Sequence, residues 1–420
     1  MKAKPTDRSL CWLLTALTAI LLGCGDDASG PTETVDDAPP IKIGLLTTLS
    51  GALSRIGPAH RAAVNMAAEE INDGGGVLGR TIEIVVADTG TDPEKATAGA
   101  RELIAQDVAA IVGPNISSSV IEVATKVTVP EGMLLISPSA TAGEITALED
   151  DGLIWRTAAS DAFKGKIAAH YAFESGSRTA GLLLIDNSFG RGLAAEFAAE
   201  FTRLGGRVVN TIDYPELRIE EIEGYDYRPH LVEVMEEEPD LIYLISLVED
   251  GIKIVISAND LLSSTYHPRF LSEIPPTEQL LGEVGTYEGL IVISQESSTD
   301  QNHVVFLEKY QDRYQSAPEL FTESAYDALY LLALAMEQAG STAPADIAAQ
   351  LQSVSSGGTK IGVGEFTHAA ELIAQVQDID YDGASGAIDY DANGDVTSGT
   401  FQVWKIEDGR FADAGLLTFP

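Results

Sequence analysis

Apolar runs of strand length alternate along the chain with stretches whose apolar residues recur at helical spacing. Residues 41–46 predict a first strand, and 58–71 predict an amphipathic helix. More strands are predicted at 81–87, 109–112, 133–136, 179–185, 207–212 and 240–245, with helices at 93–105, 117–127, 162–173, 190–204 and 229–237. Such alternation is typical of parallel sheets covered by helices on both faces, so the pattern predicts an α/β protein with two doubly wound lobes.

The second half of the chain has a different pattern. Residues 323–340 predict a long, alanine-rich helix that ends at Gly340, while 355–364 are rich in Gly and Ser and predict a loop. Short strands are predicted at 399–406 and at the C-terminus. The roughly 380 residues after position 40 exceed what one core usually holds, which favours two lobes. Ligands of such sheets bind at the carboxyl ends of the strands, and two lobes would therefore enclose a cleft.

The N-terminus has the pattern of a secretory signal. Lys2, Lys4 and Arg8 precede an apolar segment at 10–22 that is too short to span a bilayer. A glycine and then Cys24 follow this segment, as in a bacterial lipobox. We therefore expect residues 1–23 to be a lipoprotein signal peptide and Cys24 to be acylated, which would hold the protein outside the cytoplasm. An ordinary cleaved signal with an incidental cysteine is the alternative.

Composition narrows the possible partners. Residues 24–40 are dominated by small, acidic and proline residues, which predicts a disordered tether. The other cysteine, Cys11, lies in the segment that would be removed, so no disulfide is expected in the mature chain. The formal net charge of −38 would repel nucleic acid and anionic lipid headgroups, so neither is an expected partner.

Two motifs suggest cofactors, and both have a better explanation as turns. Gly74–Gly79 matches G-x-G-x-x-G but follows a predicted helix and precedes a strand, the reverse of a dinucleotide site, so these glycines are predicted to form a turn. Asp389–Asp395 resembles the start of a calcium loop, but Thr400 stands where a bidentate Glu is needed. An Asn-Gly hairpin turn is the preferred interpretation there. No two of the six histidines are spaced at i+3 or i+4, and we predict neither a metal nor a cofactor.

Hydroxyl residues cluster where two predicted strands end. Residues 111–119 leave one strand and enter a helix, and 136–141 leave the next strand. Both would lie on the cleft side of the first lobe, where Ser117 would present its hydroxyl beside the amides of a helix N-terminus, a good setting for a carboxylate. The alternative is structural, with Ser117 capping the helix and Pro138 forming a turn.

These segments together resemble the branched-chain amino-acid-binding group of periplasmic binding proteins. Its members are receptors of ATP-driven importers and have the type I fold of two Rossmann-like lobes joined by a multi-strand hinge. The resemblance covers residues 41–415 and rests on the order of these pieces: Ile43–Gly51, Glu70–Gly79, Asp88 with Asp92-Pro93, Gly113–Ser119, Ile136–Pro138, Arg156-Thr157 with Asp161, Ala325–Ala328 and Gly383–Asp395. It implies one lobe from 41–157 plus 294–396 and another from 158–293 plus 397–420.

The resemblance also implies site residues. Ser117 and the loop of Ser139, Ala140 and Thr141 would hold the carboxylate and ammonium of the ligand, Ser139 chiefly through its backbone. Glu273 would pair with the ammonium. If Glu273 does not pair with the ammonium, the next acids on the cleft side of the second lobe are Glu249 and Asp250.

Apolar contacts of the ligand would differ from those in close relatives. Phe189 falls where an aromatic residue often covers the ligand. Ile56 and Leu247 stand where relatives place an aromatic residue and a tyrosine, so the side-chain pocket has an apolar wall there and the ligand need not be a branched-chain amino acid.

The leading hypothesis is a lipid-anchored solute-binding protein. It would capture a small amino-acid-like ligand between its lobes, deliver it to an ABC permease and catalyse nothing. A surface sensor or adhesion module with the same fold is the first alternative. A secreted hydrolase is the second, although no nucleophile and base can be named for it.

Overall fold

A parallel sheet with helices on both faces forms the first lobe, as the alternating pattern predicts. The computed structural model describes residues 38–262, 266–274, 276, 280–282, 287–288, 290–296 and 300–419. The strands of this lobe are β1 (Ile41–Thr47), β2 (Ile82–Asp88), β3 (Ala110–Val112), β4 (Leu135–Ser137) and β5 (Ile154–Arg156). They run parallel in the order β2-β1-β3-β4-β5. The helices are α1 (Ile56–Asp73), α2 (Pro93–Ile104), α3 (Ser117–Val123, continued by a π-helical turn at Ala124–Thr128) and α4 (Gly143–Thr146).

The second lobe is built around a larger sheet. Its elements are α5 (Asp161–Glu174), β6 (Thr179–Ile185), α6 (Ser188–Arg203), β7 (Arg207–Tyr214), α7 (Ile219–Ile222), α8 (Arg228–Met235), β8 (Leu241–Ile245), α9 (Val248–Asn259), β9 (Arg269–Ser272) and β10 (Ile291–Glu296). These five strands are parallel in the order β10-β9-β8-β6-β7. The predicted domain boundary after residue 293 falls inside β10, which remains paired within the second sheet through Glu296.

The chain then returns to the first lobe. This part comprises α10 (Gln301–Tyr314), α11 (Thr322–Ala339), α12 (Pro344–Val354), β11 (Thr359–Ile361), α13 (Phe366–Ala374), β12 (Ile379–Gly383) and β13 (Gly386–Ala387). Helix α11 is buried from Thr322 to Met336, and the continuous apolar run from Ala328 to Met336 allows burial on all sides there. The stretch predicted as a loop at 355–364 contains β11, which pairs with β12. Finally, β14 (Gly399–Glu407) and β15 (Arg410–Phe419) complete the second sheet as antiparallel strands.

Parallel pairing sets the position of the cleft. Among the described residues, the chain passes between the lobes after Arg156, after Glu296 and after Val396. The loops that follow the strands of each sheet lie at one edge of that sheet, because parallel strands all point the same way. The two carboxyl edges face each other across a cavity lined by both lobes.

Both glycine motifs form turns, as predicted. Helix α1 ends at Asp73, and Gly76 adopts a φ of +74°, where a Cβ would lie 2.1 Å from the Arg80 carbonyl oxygen. In the second motif, the Asp391 backbone N–H donates to the Asp395 carbonyl at 2.9 Å, and Gly394 has a φ of +75°. A single antiparallel bridge between Tyr390 and Val396 closes this turn.

The predicted signal peptide, Cys24 and most of the predicted tether lie outside the described residues. Within the described part of the chain, no helix combines the length and apolar character needed to cross a bilayer.

A buried ion pair joins the segments at the first and third crossings. The Arg156 guanidinium, 1% exposed, donates from Nε to Asp395 Oδ1 at 2.6 Å. Its Nη1 and Nη2 donate to the Ala142 carbonyl at 2.8 Å and to Thr146 Oγ1 at 2.7 Å. Thr146 Oγ1 in turn donates to Asp395 Oδ2 at 2.6 Å, so both charged groups are well satisfied.

A second buried network fixes a loop that borders the cleft. Asn115 Nδ2 donates to His60 Nδ1 at 2.6 Å, and His60 Nε2 donates to the Leu320 carbonyl at 2.8 Å. The Asn115 side-chain oxygen accepts from Thr47 Oγ1 and from the Thr48 N–H. Burial lowers the pKa of His60 to about 4, so the ring is neutral at physiological pH.

Removing one partner of the buried pair should be costly. Asp395→Ala leaves Arg156 desolvated without its counter-charge, so we expect a loss of about 3–5 kcal/mol in the free energy of unfolding, measured by urea titration. The control is Asp226→Ala, which breaks an exposed pair with Arg228 and should leave the free energy of unfolding nearly unchanged. Equal losses in the two variants would contradict this assignment.

His60 should make stability depend on pH. The folded-state pKa of His60 lies below the ordinary value of 6.5. Its stabilising contribution to the free energy of unfolding is therefore fully present above pH 6.5 and is lost as the pH falls towards 4. Buried Asp161, Asp250 and Asp327, whose pKa values burial raises to about 6, act in the opposite direction. The informative quantity is therefore the difference in unfolding free energy between His60→Gln and wild type. As the pH falls from about 7.5 to 4, this difference should shift by roughly 3 kcal/mol in favour of the variant. The size follows from the lowered pKa of His60, since each pKa unit corresponds to about 1.4 kcal/mol. A difference that stays flat would contradict the prediction.

Candidate ligand-binding cleft

A cavity of about 160 Å³ lies between the two lobes. Its polar lining comes from Asn115, Ser117, Ser139 and Thr141 of the first lobe and from Lys164, Asn187, Ser246, Glu273 and Ser294 of the second. Its apolar lining consists of Leu53, Ile56, Ile116, Phe189, Leu247, Val248, Leu320 and Phe321, and Arg55 also borders it. The cavity thus combines apolar walls with a few convergent polar groups, the usual composition of a ligand site.

The first-lobe wall consists of the loops after β3 and β4. Ser117 is the first residue of α3, and its Oγ accepts from the Ala142 N–H at 3.2 Å. Since the residue before it, Ile116, is the N-cap, the interpretation of Ser117 as the capping residue is wrong. Ser139 Oγ donates to the Asn115 carbonyl at 2.9 Å, which ties the two loops together.

Ala140 and Thr141 differ in their access to the cavity. Ala140 is fully buried behind the wall, where its N–H donates to Ser137 Oγ at 3.1 Å, so its inclusion among the ligand contacts is not supported. Thr141 lines the cavity, and its carbonyl accepts from the Asp161 N–H at 2.7 Å. That bond links the first-lobe wall to the start of α5 in the second lobe.

The second-lobe wall contains a buried charged cluster. The Lys164 ammonium forms an ion pair with Glu273 Oε2, and the two side chains are 14% and 1% exposed. Tyr243 Oη donates to the other Glu273 oxygen at 2.5 Å. Asp161 is buried one turn before Lys164 on α5, and burial raises the pKa of its carboxyl to about 6.

Most of the predicted site residues meet in this one cavity. Ser117, Ser139, Thr141, Phe189 and Glu273 all line it, although the chain separates the first from the last by more than 150 residues. Whether they contact the ligand stays a prediction.

Of the four other residues singled out from the sequence, two line the cavity and two do not. Ile56 and Leu247 form part of the lining. The two fallback acids do not: Asp250 accepts a hydrogen bond from Tyr227 Oη behind the wall, and Glu249 borders a separate surface groove.

Sequence reasoning missed several residues of the cavity. Lys164 follows Asp161 by three positions on a helix that begins at the cleft, so helical spacing could have drawn attention to it. Phe321 gave no such signal, since it follows no strand and adopts a left-handed φ of +61° just before α11. Asn187 lies just after the end of β6 and caps the next helix, so its place at the carboxyl edge of a predicted strand could have identified it.

Comparisons with known proteins agree with this architecture. A sequence profile of the family described as "Periplasmic binding protein" matches residues 40–410. The substrate-binding protein BasB of a chemotactic signal transduction system in Halobacterium salinarum is 29% identical over 393 residues, which cover 90% of this chain and 89% of BasB. A leucine-, isoleucine-, valine-, threonine- and alanine-binding protein of Pseudomonas aeruginosa is 27% identical over 336 residues, 75% of this chain and 83% of that protein.

The fold has close structural counterparts. The crystal structure of the leucine-binding protein LivK from Thermotoga maritima superimposes with a TM-score of 0.73 at 22% sequence identity, covering 90% of this chain and 98% of that one. Like these relatives, the chain has the type I fold and is a binding protein, not an enzyme. The profile match, which spans nearly all of the two lobes, shows that this chain belongs to the periplasmic binding protein family and is an extracytoplasmic solute-binding protein.

Proposed function

We propose that this protein is a lipid-anchored receptor that captures a small carboxylate ligand of amino-acid size and delivers it to an ABC permease. The observation that carries the proposal is the interlobe cavity, which has hydroxyl groups on the first-lobe wall, a charged cluster on the second and apolar side chains from both lobes. A ligand that contacts both walls favours the closed arrangement of the lobes. A permease would then recognise that arrangement.

The first-lobe wall suits a carboxylate group. Ser117 is the first residue of α3 and Thr141 lies in the loop after β4, so both stand at the carboxyl edge of the sheet. Hydroxyl and amide donors form strong hydrogen bonds with an ionised acceptor, because the charge strengthens each bond. The amino acids named for the Pseudomonas relative all carry such a carboxylate, in line with this assignment.

A sensing role is the second candidate, favoured by the similarity to BasB. That relative is named for a chemotactic signal transduction system, and the match covers 90% of this chain. Uptake of labelled ligand by cells that lack this protein separates the two roles. Loss of uptake supports delivery to a permease, whereas normal uptake with a lost behavioural response supports sensing.

The cavity itself is tested by calorimetry of the purified protein against amino acids, their amides and small organic acids. Thr141→Ala should weaken the binding of the compound with the highest affinity by about 1.5–3 kcal/mol, roughly 10- to 100-fold in affinity. The reason is that a charge-assisted hydrogen bond is lost. Thr125→Ala is the matched control, since that exposed hydroxyl bonds only within its own helical turn. Equal affinities in the Thr141 and Thr125 variants would contradict the assignment, and no binding by any compound would refute the proposed function.

The anchor is tested at the N-terminus. Cys24→Ser removes the thiol that would accept the lipid, so we expect the protein to become soluble or to remain unprocessed. Detergent phase partition and mass spectrometry of the N-terminus would distinguish these outcomes from wild type. Cys11→Ser, within the predicted signal peptide, should leave anchoring intact. A Cys24→Ser protein that still partitions with membranes and has the mature mass would exclude lipidation at this residue.

A further inference from the structure

The acid expected to bind a ligand ammonium already has a cation from its own chain. Glu273 forms an ion pair through one carboxylate oxygen with the Lys164 ammonium and accepts a hydrogen bond from the Tyr243 hydroxyl through the other. Both of its oxygens thus have partners within the chain. Lys164 and Glu273 both line the cavity, so this pair lies at the ligand surface.

The rigid elements of the second lobe hold the pair in place. Lys164 stands in the first turn of α5, and Glu273 directly follows β9. Tyr243 lies within β8, the strand beside β9, and its side chain is fully buried. The contact between lysine and glutamate therefore joins a helix start to a strand end.

Among the cavity-lining residues that the structure describes, the wall offers a ligand ammonium no other carboxylate. Asp161 is buried and does not line the cavity, and its neighbouring opposite charges are Lys164 and Arg156. Among the residues that the structure describes as lining the cavity, Glu273 is the acidic one.

An amino-acid ammonium would meet a like charge at this wall. To reach Glu273 it would have to lie beside the Lys164 ammonium, and like charges repel strongly where water is excluded. To replace Lys164 it would have to leave that ammonium desolvated and unpaired, which is costly. A ligand carboxylate need not displace Lys164, because an ammonium has three N–H donors and Lys164 can bond to Glu273 and to a ligand at once.

We propose that the cleft selects small carboxylates that lack an α-ammonium group, with Lys164 supplying from the protein the positive charge that an amino acid would bring. This rests on the proposed function, since it assumes that the interlobe cavity is the ligand site. The apolar walls, which include Phe189, Leu247 and Phe321, would hold the hydrocarbon part of the acid.

Matched pairs of compounds test the selection directly. Leucine with 4-methylpentanoate and phenylalanine with 3-phenylpropanoate differ within each pair only by the ammonium group, and straight-chain pairs extend the series. By calorimetry at neutral pH, the acid without an ammonium should bind at least tenfold more tightly than its amino acid in every pair that binds. Tighter binding of the amino acid overturns this inference and leaves the proposed function standing. If no member of any pair binds, and no compound of the wider set of amino acids, amides and small organic acids binds either, the proposed function is overturned, and this inference with it.

Variants of the pair identify its role. In Lys164→Gln, the released Glu273 should accept a ligand ammonium, so the affinity ratio should shift at least tenfold towards the amino acid. Lys166→Gln is the matched control, because Lys166 is a half-exposed lysine two positions along the same helix. An unchanged ratio in Lys164→Gln overturns the inference.

Glu273→Gln gives a second test that does not depend on the first variant folding. It keeps a polar partner for Tyr243 and removes the charge that holds Lys164, so binding of the acids should become tighter. If Glu273 instead bound a ligand ammonium, this variant would weaken amino-acid binding more than tenfold, and that result would overturn the inference.

Discussion

Parallel strand pairing is the constraint on which the rest of the structure depends. Strands β1–β5 and β6–β10 run parallel within their sheets, so helices must return the chain each time and the loops after the strands gather at one edge. Because these two edges face each other, side chains from opposite halves of the sequence meet in one cavity. The ligand site is thus a property of the pair of sheets and belongs to neither alone.

The segments that cross between the lobes are tied down by buried polar groups. Arg156 and Asp395 form their ion pair close to two of the crossings, and Thr157 Oγ1 donates to the Ser324 carbonyl at 2.9 Å. The Asp161 N–H adds a bond to the Thr141 carbonyl on the opposite wall. Such fully satisfied contacts favour a defined path for the hinge, because a buried polar group that loses its partner is costly. Movement of the lobes is then expected to leave these contacts intact.

The two walls of the cleft differ in their electrostatics. The first-lobe wall offers hydroxyl and amide donors on loops held by Asn115 and His60. The second-lobe wall offers a lysine and a glutamate that neutralise each other. A family-wide fold can therefore serve ligands of different charge through a few residues at the strand ends, while the sheets stay the same.

The sequence by itself determined the local elements and the order in which they alternate. Periodicity marked most strands and helices, and the hydroxyl clusters at strand ends identified Ser117, Ser139 and Thr141 as cavity residues, since both signals are carried by neighbours in the chain. It missed the short strands β5 and β11, and in the later chain it also missed β10, β12 and the helices α9, α10, α12 and α13.

Only the tertiary structure decided which distant groups pair. Asp395 looked like part of a calcium loop, but its carboxylate bonds to Arg156, 239 positions away. Glu273 looked like a free acid for a ligand ammonium, but Lys164 and Tyr243 reach it from two other elements. The physical reason is that the charge state and availability of a buried group depend on what surrounds it in space, and no pattern of neighbours along the chain contains that information.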